Sequence, residues 1–360
     1  MNTLKKSFAV LICFVLMVGC FTGCHQKGEI AVKVGDCEFT SGYYACALVI
    51  ADTEARSKVE SALSEKGEST ENIVYYKQKV EDTDYTKWVE DTALETLKEV
   101  AAARTLCKEA GIELDDEAAS TAKSNAEYMW DKYGYSKIME PNGVAKTTFV
   151  EYMTDSYLAN LYFNHVYGAG GEKEISAEKL SEQLSNNYVL VNKIEVNFDS
   201  KTDDDKKSER EKLTTYETEL KNGTKTFEDV YLDYNNISAE DHKHDEPQDG
   251  ETAPLDSHAT VIGSEDTSYA SDYYTEAKSM AVGEIKVVTL DNDAGIALIV
   301  KKDIMADPYY IENFDETLRR DIAGDECNDY IEKYGNDLKT TVHKSATGQF
   351  KVKKIKYPEQ

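Results

Sequence analysis

Apolar residues alternate through Ile30, Val32 and Val34, stop at Gly35-Asp36, and resume in Cys37-Glu38-Phe39-Thr40. Period two on either side of a Gly-Asp break predicts two short strands joined by a tight turn. The spacing then lengthens to that of helices. Thr40 or Ser41 offers an N-cap to a helix from about Tyr43 to Leu63. After a polar joint at Gly67 to Thr70, a buried stripe runs through Trp88, Ala93, Leu94, Leu97, Val100, Ala101 and Leu106 to a stop at Gly111. Asp115-Asp116-Glu117 opens another helix carrying Ala122, Ala126, Met129 and Trp130, and one more is expected over Thr147 to Tyr167. Gly168 to Gly171 breaks it, and Ser176 caps a shorter helix to about Asn187. Residues 41–187 therefore read as a helical bundle fragment.

At Tyr188 the period changes. Val189, Val191, Ile194, Val196 and Phe198 form a strand-like run, followed by a charged stretch and a helix from about Glu209 to Asn222-Gly223. A second helix holds Phe227, Val230 and Tyr231. Residues 234–263 are polar and acidic, a length that in a compact domain marks a functional or disordered loop. A helix over Tyr269 to Met280 and a hairpin from Ile285–Leu290 to Ile296–Val300 follow. A long helix from about Tyr310 to Leu338 and a last strand at Phe350 to Ile355 close the chain. A strand, two helices, a loop, a helix and two strands describe a compact α+β unit behind the helical one.

Charge narrows the function. Forty-one basic residues face 68 acidic ones, a net charge of −27. Nucleic acid, which needs a basic face, is excluded as a partner. So is a chain that lies on anionic lipid by its own surface. The absence of any phosphate-binding loop argues against a nucleotide, and no cofactor is expected.

The first residues change the picture again. Lys5 and Lys6 precede an uncharged stretch from Phe8 to Val18, too short for a spanning helix of ~20 apolar residues. Such a start describes a secretory signal. Both "MVGC" (17–20) and "FTGC" (21–24) are similar to the bacterial lipobox, whose cysteine is acylated. Cys24 is the favoured lipid site because polar residues follow it directly, with Cys20 as the alternative. A lipid anchor would place the chain on the extracytoplasmic face of the cell membrane. Of the other cysteines, Cys37, Cys46, Cys107 and Cys327 show no metal-ligand spacing; they are compatible with three disulfide connectivities or with buried free thiols.

Three clusters invite sharper readings. His242, His244 and His258 share the acidic loop with Asp241, Asp245 and Glu246, a donor set that suits zinc or copper. The sequence supplies no rigid frame for them, so a solvated loop and no metal are expected. "KTDDDKKSERE" (201–211) reads as a solvated face that calcium at a cell surface could screen. Twenty-four tyrosines accompany only ten phenylalanines and five prolines. Tyr152, Tyr157, Tyr162 and Tyr167 recur along one helix, and suit either adaptable half-polar surface for unfolded segments or ordinary core and rim.

The order of these parts resembles the extracytoplasmic parvulin-type foldases of the PrsA and SurA kind. "AVKVGDCEFT" (31–40) is similar to their opening strand and turn, and "ALETLKEVAAARTLCKEAGIELDDEA" (93–118) to their long helix and the joint after it. "SAEKLSEQLSNNY" (176–188) resembles the helix leading into the isomerase domain. "LKNGTKTFEDVYLDY" (220–234) and "SMAVGEIKVVTLDNDAGIALIVKKD" (279–303) resemble its internal helix and its ending.

The resemblance implies a signal peptide over 1–23 and a helical chaperone domain over 24–187. A parvulin-like α+β domain over 188–305 would be inserted before a C-terminal helix and strand, 306–360, that return to the helical part. It also implies paired histidines at the positions held here by Lys193 and Ala297, and a proline pocket near Tyr273 and Met280, with Ile194 beside it. No "GGDLG" follows Tyr234. An isomerase must lower a ~20 kcal/mol rotation barrier by gripping proline in a dry pocket and stabilising the twisted amide. A cation and a methyl group in place of two imidazoles remove that hydrogen-bond network. The expected function is therefore a membrane-anchored chaperone that holds unfolded secreted polypeptides, with a degenerate isomerase domain. An active prolyl isomerase and a passive surface-binding lipoprotein are the alternatives.

Overall fold

The computed structural model describes residues 28–240, 242, 253–264, 271–290 and 293–358. The leader with Cys20 and Cys24, and most of the acidic loop including His244, lie outside the described residues. Among the described residues no helix is long and apolar enough to cross a membrane. The chain divides into two compact units, one running up to Val166 and resuming at Glu326, the other Tyr167–Asp325.

In the first unit, β1 (Ile30–Val34) and β2 (Cys37–Thr40) pair antiparallel, Val34 against Cys37. Gly35 makes the turn at φ +56°, a conformation that L side chains adopt poorly. Thr40 caps α1 (Ser41–Glu65) by accepting from the Tyr43 amide at 3.2 Å. A two-residue pair, β3 (Lys79–Val80) and β4 (Thr83–Asp84), precedes α2 (Tyr85–Ala110), which ends as expected at a left-handed Gly111. The faces of α1 and α2 bury Tyr43, Leu48, Ala51 and Ala55 against Val89, Ala93, Leu97 and Ala101. Asp115 then caps α3 (Asp116–Lys132); α4 (Tyr135–Met139) is a single turn, and α5 (Lys146–Tyr167) carries the recurrent tyrosines.

A buried carboxylate, Asp52, and a half-buried one, Asp155, tie this unit together. Asp52 accepts from Arg56 Nε at 2.9 Å, Tyr85 at 2.9 Å and Tyr357 at 2.8 Å. The Arg56 guanidinium lies between the rings of Tyr75 and Tyr357, at 4.2 and 3.9 Å. Asp155 likewise accepts from Tyr43 at 2.7 Å and from Arg104 at 3.1 and 2.5 Å.

The second unit opens with α6 (Ala177–Asn187), capped by Ser176, and a ten-residue strand β5 (Tyr188–Asn197). The division between units therefore falls ahead of the change of period at Tyr188, because α6 packs on β5. Next, α7 (Asp203–Lys221) starts six residues before the expected Glu209. Thr202 and Asp205 form a capping box, and three aspartates sit at the positive end of the helix dipole, so the run is a helix start whose residues are mostly exposed. A second capping box, Thr226 with Asp229, starts α8 (Phe227–Asn235).

Part of the expected 234–263 loop is a strand, β6 (Ala259–Gly263). After α9 (Ser271–Ser279), the hairpin of β7 (Ile285–Leu290) and β8 (Gly295–Lys302) completes an antiparallel sheet of order β6-β5-β8-β7. Its two faces carry separate cores. Val189, Val191, Ala297 and Ile299 pack with α9; Ile194, Val196, Ile296 and Leu298 pack with α7 and α8.

The expected long helix from Tyr310 is two helices, α10 (Pro308–Asn313) and α11 (Asp315–Asp337), interrupted at Phe314. Arg319, buried on α11, donates to the carbonyls of Tyr167 and Ile175 and to Asp315, which places the start of α11 in the second unit. Back in the first unit, β9 (Thr340–Val342) pairs with β1, Val34 against Thr340, and the one-turn α12 (Lys344–Thr347) follows. The last strand thus lies ten residues before the predicted Phe350–Ile355, within which Val352–Lys354 is a 3₁₀ turn. Phe350, Val352 and Ile355 are apolar because they pack on the helical core, not because they alternate across a ladder. Cys37, Cys46, Cys107 and Cys327 are free thiols, and burial pushes Cys107 up to about 11.

Candidate functional site

The positions that the resemblance marks for paired imidazoles meet on one face of the second sheet. Lys193 on β5 lies opposite Ile299, and Ala297 on β8 lies opposite Glu195. Residues two apart on a strand share a face, so Lys193, Glu195 and Ala297 point the same way. Lys193 Nζ meets Glu195 Oε2 at 3.0 Å and stands 5.5 Å from the centre of the Tyr273 ring. The two side chains are 20 % and 35 % exposed. Sequence reading found Lys193 and Ala297 but missed Glu195. Its signal was present: an acid two residues from a lysine, on the same face of a predicted strand.

The presumed proline pocket does not form as expected. Tyr273 and Met280 come together, but both are buried in the core between α9 and the sheet, beside Ala297 and Ile299. Ile194 points to the other face, into the core made with Val196, Leu213, Tyr216 and Val230. Adjacent residues of a strand alternate sides, so Ile194 cannot join a site built around Lys193. The geometry leaves an ion pair over an aromatic ring, with the apolar residues beneath it packed closed. Such a face can bind a polar or charged group. It offers neither imidazole nor an open dry pocket.

Other surfaces lie in the first unit. Of the four tyrosines on α5, Tyr152 packs 5.4 Å from Tyr43 in the core and Tyr167 is buried. Tyr157 and Tyr162 are half-exposed; Tyr157 accepts from Asn125 at 3.3 Å, and Tyr162 stacks on Tyr330 at 6.2 Å. On α3 and the residue after it, Tyr128 and Tyr133 form an edge-to-face pair and stand 55 % and 72 % exposed.

A groove of about 630 Å³ lies between α1, α2 and the chain after β9. Tyr44, Leu94, Phe350 and Val352 give it an apolar lining; Glu90 and Asp91 supply negative charge, and Lys344, Lys351, Lys353 and Lys354 positive charge. An apolar channel edged by both signs of charge suits an extended polypeptide of mixed sequence.

No protein-family model matches the chain, and no curated protein matches it. Among solved structures it is similar to the foldase protein PrsA from Streptococcus pneumoniae, at 16% identity over 79% of this chain and 95% of that one, with a TM-score of 0.37. The PrsA foldase from Lactococcus lactis is 12% identical over 89% of this chain and 96% of that chain, TM-score 0.39. PrsA from Bacillus subtilis is 14% identical over 70% and 84%, TM-score 0.30.

Proposed function

We propose that this chain is an exported foldase of the holding kind. Its first unit takes nonnative segments of secreted polypeptides, shields them and releases them without nucleotide. The observation that carries this reading is the charged-edged apolar groove of the helical unit, on a unit that also exposes the Tyr128–Tyr133 pair. Half-polar aromatic surface binds many sequences weakly, and weak, sequence-tolerant contact is what reversible holding needs.

The second unit is, in this reading, a further binding surface with its isomerase chemistry lost. Lys193 is a long cation already engaged by Glu195, and Ala297 is a buried methyl group. Neither can stabilise a twisting prolyl amide as a donor–acceptor imidazole pair would. Cleavage of the leader and acylation of Cys24, or of Cys20, would tether the chain to the outer face of the membrane, where its clients emerge.

The test uses the leaderless chain in two assays. Suppressed aggregation of a reduced, unfolded client, with no acceleration of proline-peptide isomerisation at high protein concentration, is the expected outcome. Isomerisation at ordinary parvulin rates would make the chain a working enzyme with substituted residues and overturn the reading. No effect in either assay would leave a passive surface-binding lipoprotein. Lys193→His combined with Ala297→His shows whether the sheet can still host the chemistry.

A further inference from the structure

Away from the Lys193 face, the second unit gathers three metal-ligating side chains at one point. Glu228 lies in the first turn of α8, His242 follows that helix, and His258 stands immediately before β6. Their donor atoms all lie within 4.8 Å of one another. His258 Nε2 is 3.6 Å from Glu228 Oε2, and His242 Nε2 is 3.9 Å from Glu228 Oε1. The two imidazoles are stacked, 7° from parallel with centroids 5.2 Å apart.

A frame holds them there. The His242 amide donates to the Ser238 carbonyl at 3.1 Å. His258 donates its amide to Asp256 at 3.0 Å, and Asp256 is fixed in turn by Asn192 at 2.9 Å and Lys302 at 2.8 Å. The Tyr231 ring lies 4.5 Å from the His258 ring and 5.8 Å from that of His242. Glu228 is carried by the capped start of α8. The imidazole side chains are 13 % and 9 % exposed and the carboxylate 49 %.

We propose that Glu228, His242 and His258 form a binding site for a divalent transition-metal ion of the zinc class. Two neutral imidazoles and one carboxylate are a donor set that Zn²⁺ takes, with bonds of ~2.0–2.2 Å. Donors arranged tetrahedrally at that distance stand ~3.4 Å apart. The separations of 3.6 and 3.9 Å run to the two different oxygens of Glu228, and the donors as a set lie within 4.8 Å, so rotation of the side chains about their own bonds must draw them onto the ion. The fourth position would be left to water or an incoming ligand. A bound ion would pin both ends of the chain between 242 and 258 to α8, and with them the edge strand β6.

The experiment titrates the leaderless chain, stripped with chelator, with Zn²⁺ against a chromophoric chelator, and with Co²⁺ as a spectroscopic stand-in. One Zn²⁺ per chain is expected to resist competition, Co²⁺ to show the intense visible absorption of a four-coordinate site, and Zn²⁺ to raise the melting temperature. His242→Ala, His258→Ala and Glu228→Gln should each weaken binding at least about tenfold and abolish the melting shift, whereas His165→Ala should change nothing. If His258→Ala does not fold, as judged by circular dichroism of the metal-free chain, His258→Gln keeps most of the volume and removes the ligand. Failure to retain Zn²⁺ against the chelator overturns the proposal. So does retention unchanged by the two histidine variants, which would place the ion elsewhere.

Discussion

Lys193 and Glu195 share one face of β5 and meet at 3.0 Å, directly beside the buried Ala297 that Glu195 faces across the ladder. Both heads reach water, so the pair is screened and each partner retains solvation when the other is removed. Lys193→Met and Glu195→Gln should each cost less than ~1 kcal/mol in urea denaturation. A loss well above that value would mean that the pair holds the sheet together.

Asp52 is the opposite case. It is buried among three donors, Arg56, Tyr85 and Tyr357. Asp52→Ala leaves the Arg56 guanidinium without its carboxylate, while Tyr85 keeps the residue-52 carbonyl and Tyr357 keeps Thr53, and should cost about 3 kcal/mol in equilibrium unfolding. Asp52→Asn, which retains one acceptor oxygen, should cost less.

Gly335 on α11 lies against α2 so closely that an added Cβ would stand 2.7 Å from the Lys98 carbonyl oxygen. Backbone cannot rotate away as a side-chain end can. Gly335→Ala should therefore destabilise the first unit by about 1–3 kcal/mol, although alanine is the better helix former. A more stable variant would contradict this close crossing.

Alkaline stability follows from the tyrosines. Chiefly through burial, the hydroxyls of Tyr44, Tyr216 and Tyr310 are pushed up to about 12, and those of Tyr43, Tyr85, Tyr152 and Tyr357 are raised further. In the unfolded chain they ionise near ~10. Between those values the unfolded state binds fewer protons than the folded one, so stability is full below pH ~10 and falls as pH rises through the folded values. Tyrosinate absorbance and loss of helix by circular dichroism should rise together in one steep transition above pH ~10. Gradual ionisation with the helix signal intact would refute it.

The exposed Tyr128–Tyr133 pair tests the holding function without touching the core. Replacing both by serine should change stability by no more than ~0.5 kcal/mol, since neither ring is buried. Suppression of client aggregation should nevertheless weaken. Unchanged suppression would remove this surface from the client path.

Much of the fold was legible wherever a local rule acts alone. The Gly35 turn, the Gly111 stop, the Ser176 cap and the β7–β8 hairpin stand where periodicity and punctuation put them. The face of Ile194 was also legible, because neighbours on a strand must diverge and so Ile194 and Lys193 lie on opposite sides of the sheet. β6 and β9 were not legible: they are five and three residues long and exist because β5 and β1 offer them hydrogen bonds. The start of α7 was masked by its charge, since the aspartates that look solvated are those that stabilise a helix N-terminus.

For the candidate sites the division is similar. Residue types alone determined that Lys193 and Ala297 cannot act as a pair of imidazoles, because no folding can supply a proton-exchanging ring that the chain lacks. They also set the acidic balance, a net charge of −27. Only the tertiary structure decided that Tyr273 and Met280 are core, that Glu195 engages Lys193, and that His258 comes to Glu228 and His242 rather than serving a solvated loop. The physical reason is range. Helix caps, turns and strand periods are set by neighbours a few residues apart, whereas a pocket or a metal-ligand set depends on which distant surfaces are driven together when apolar area leaves water.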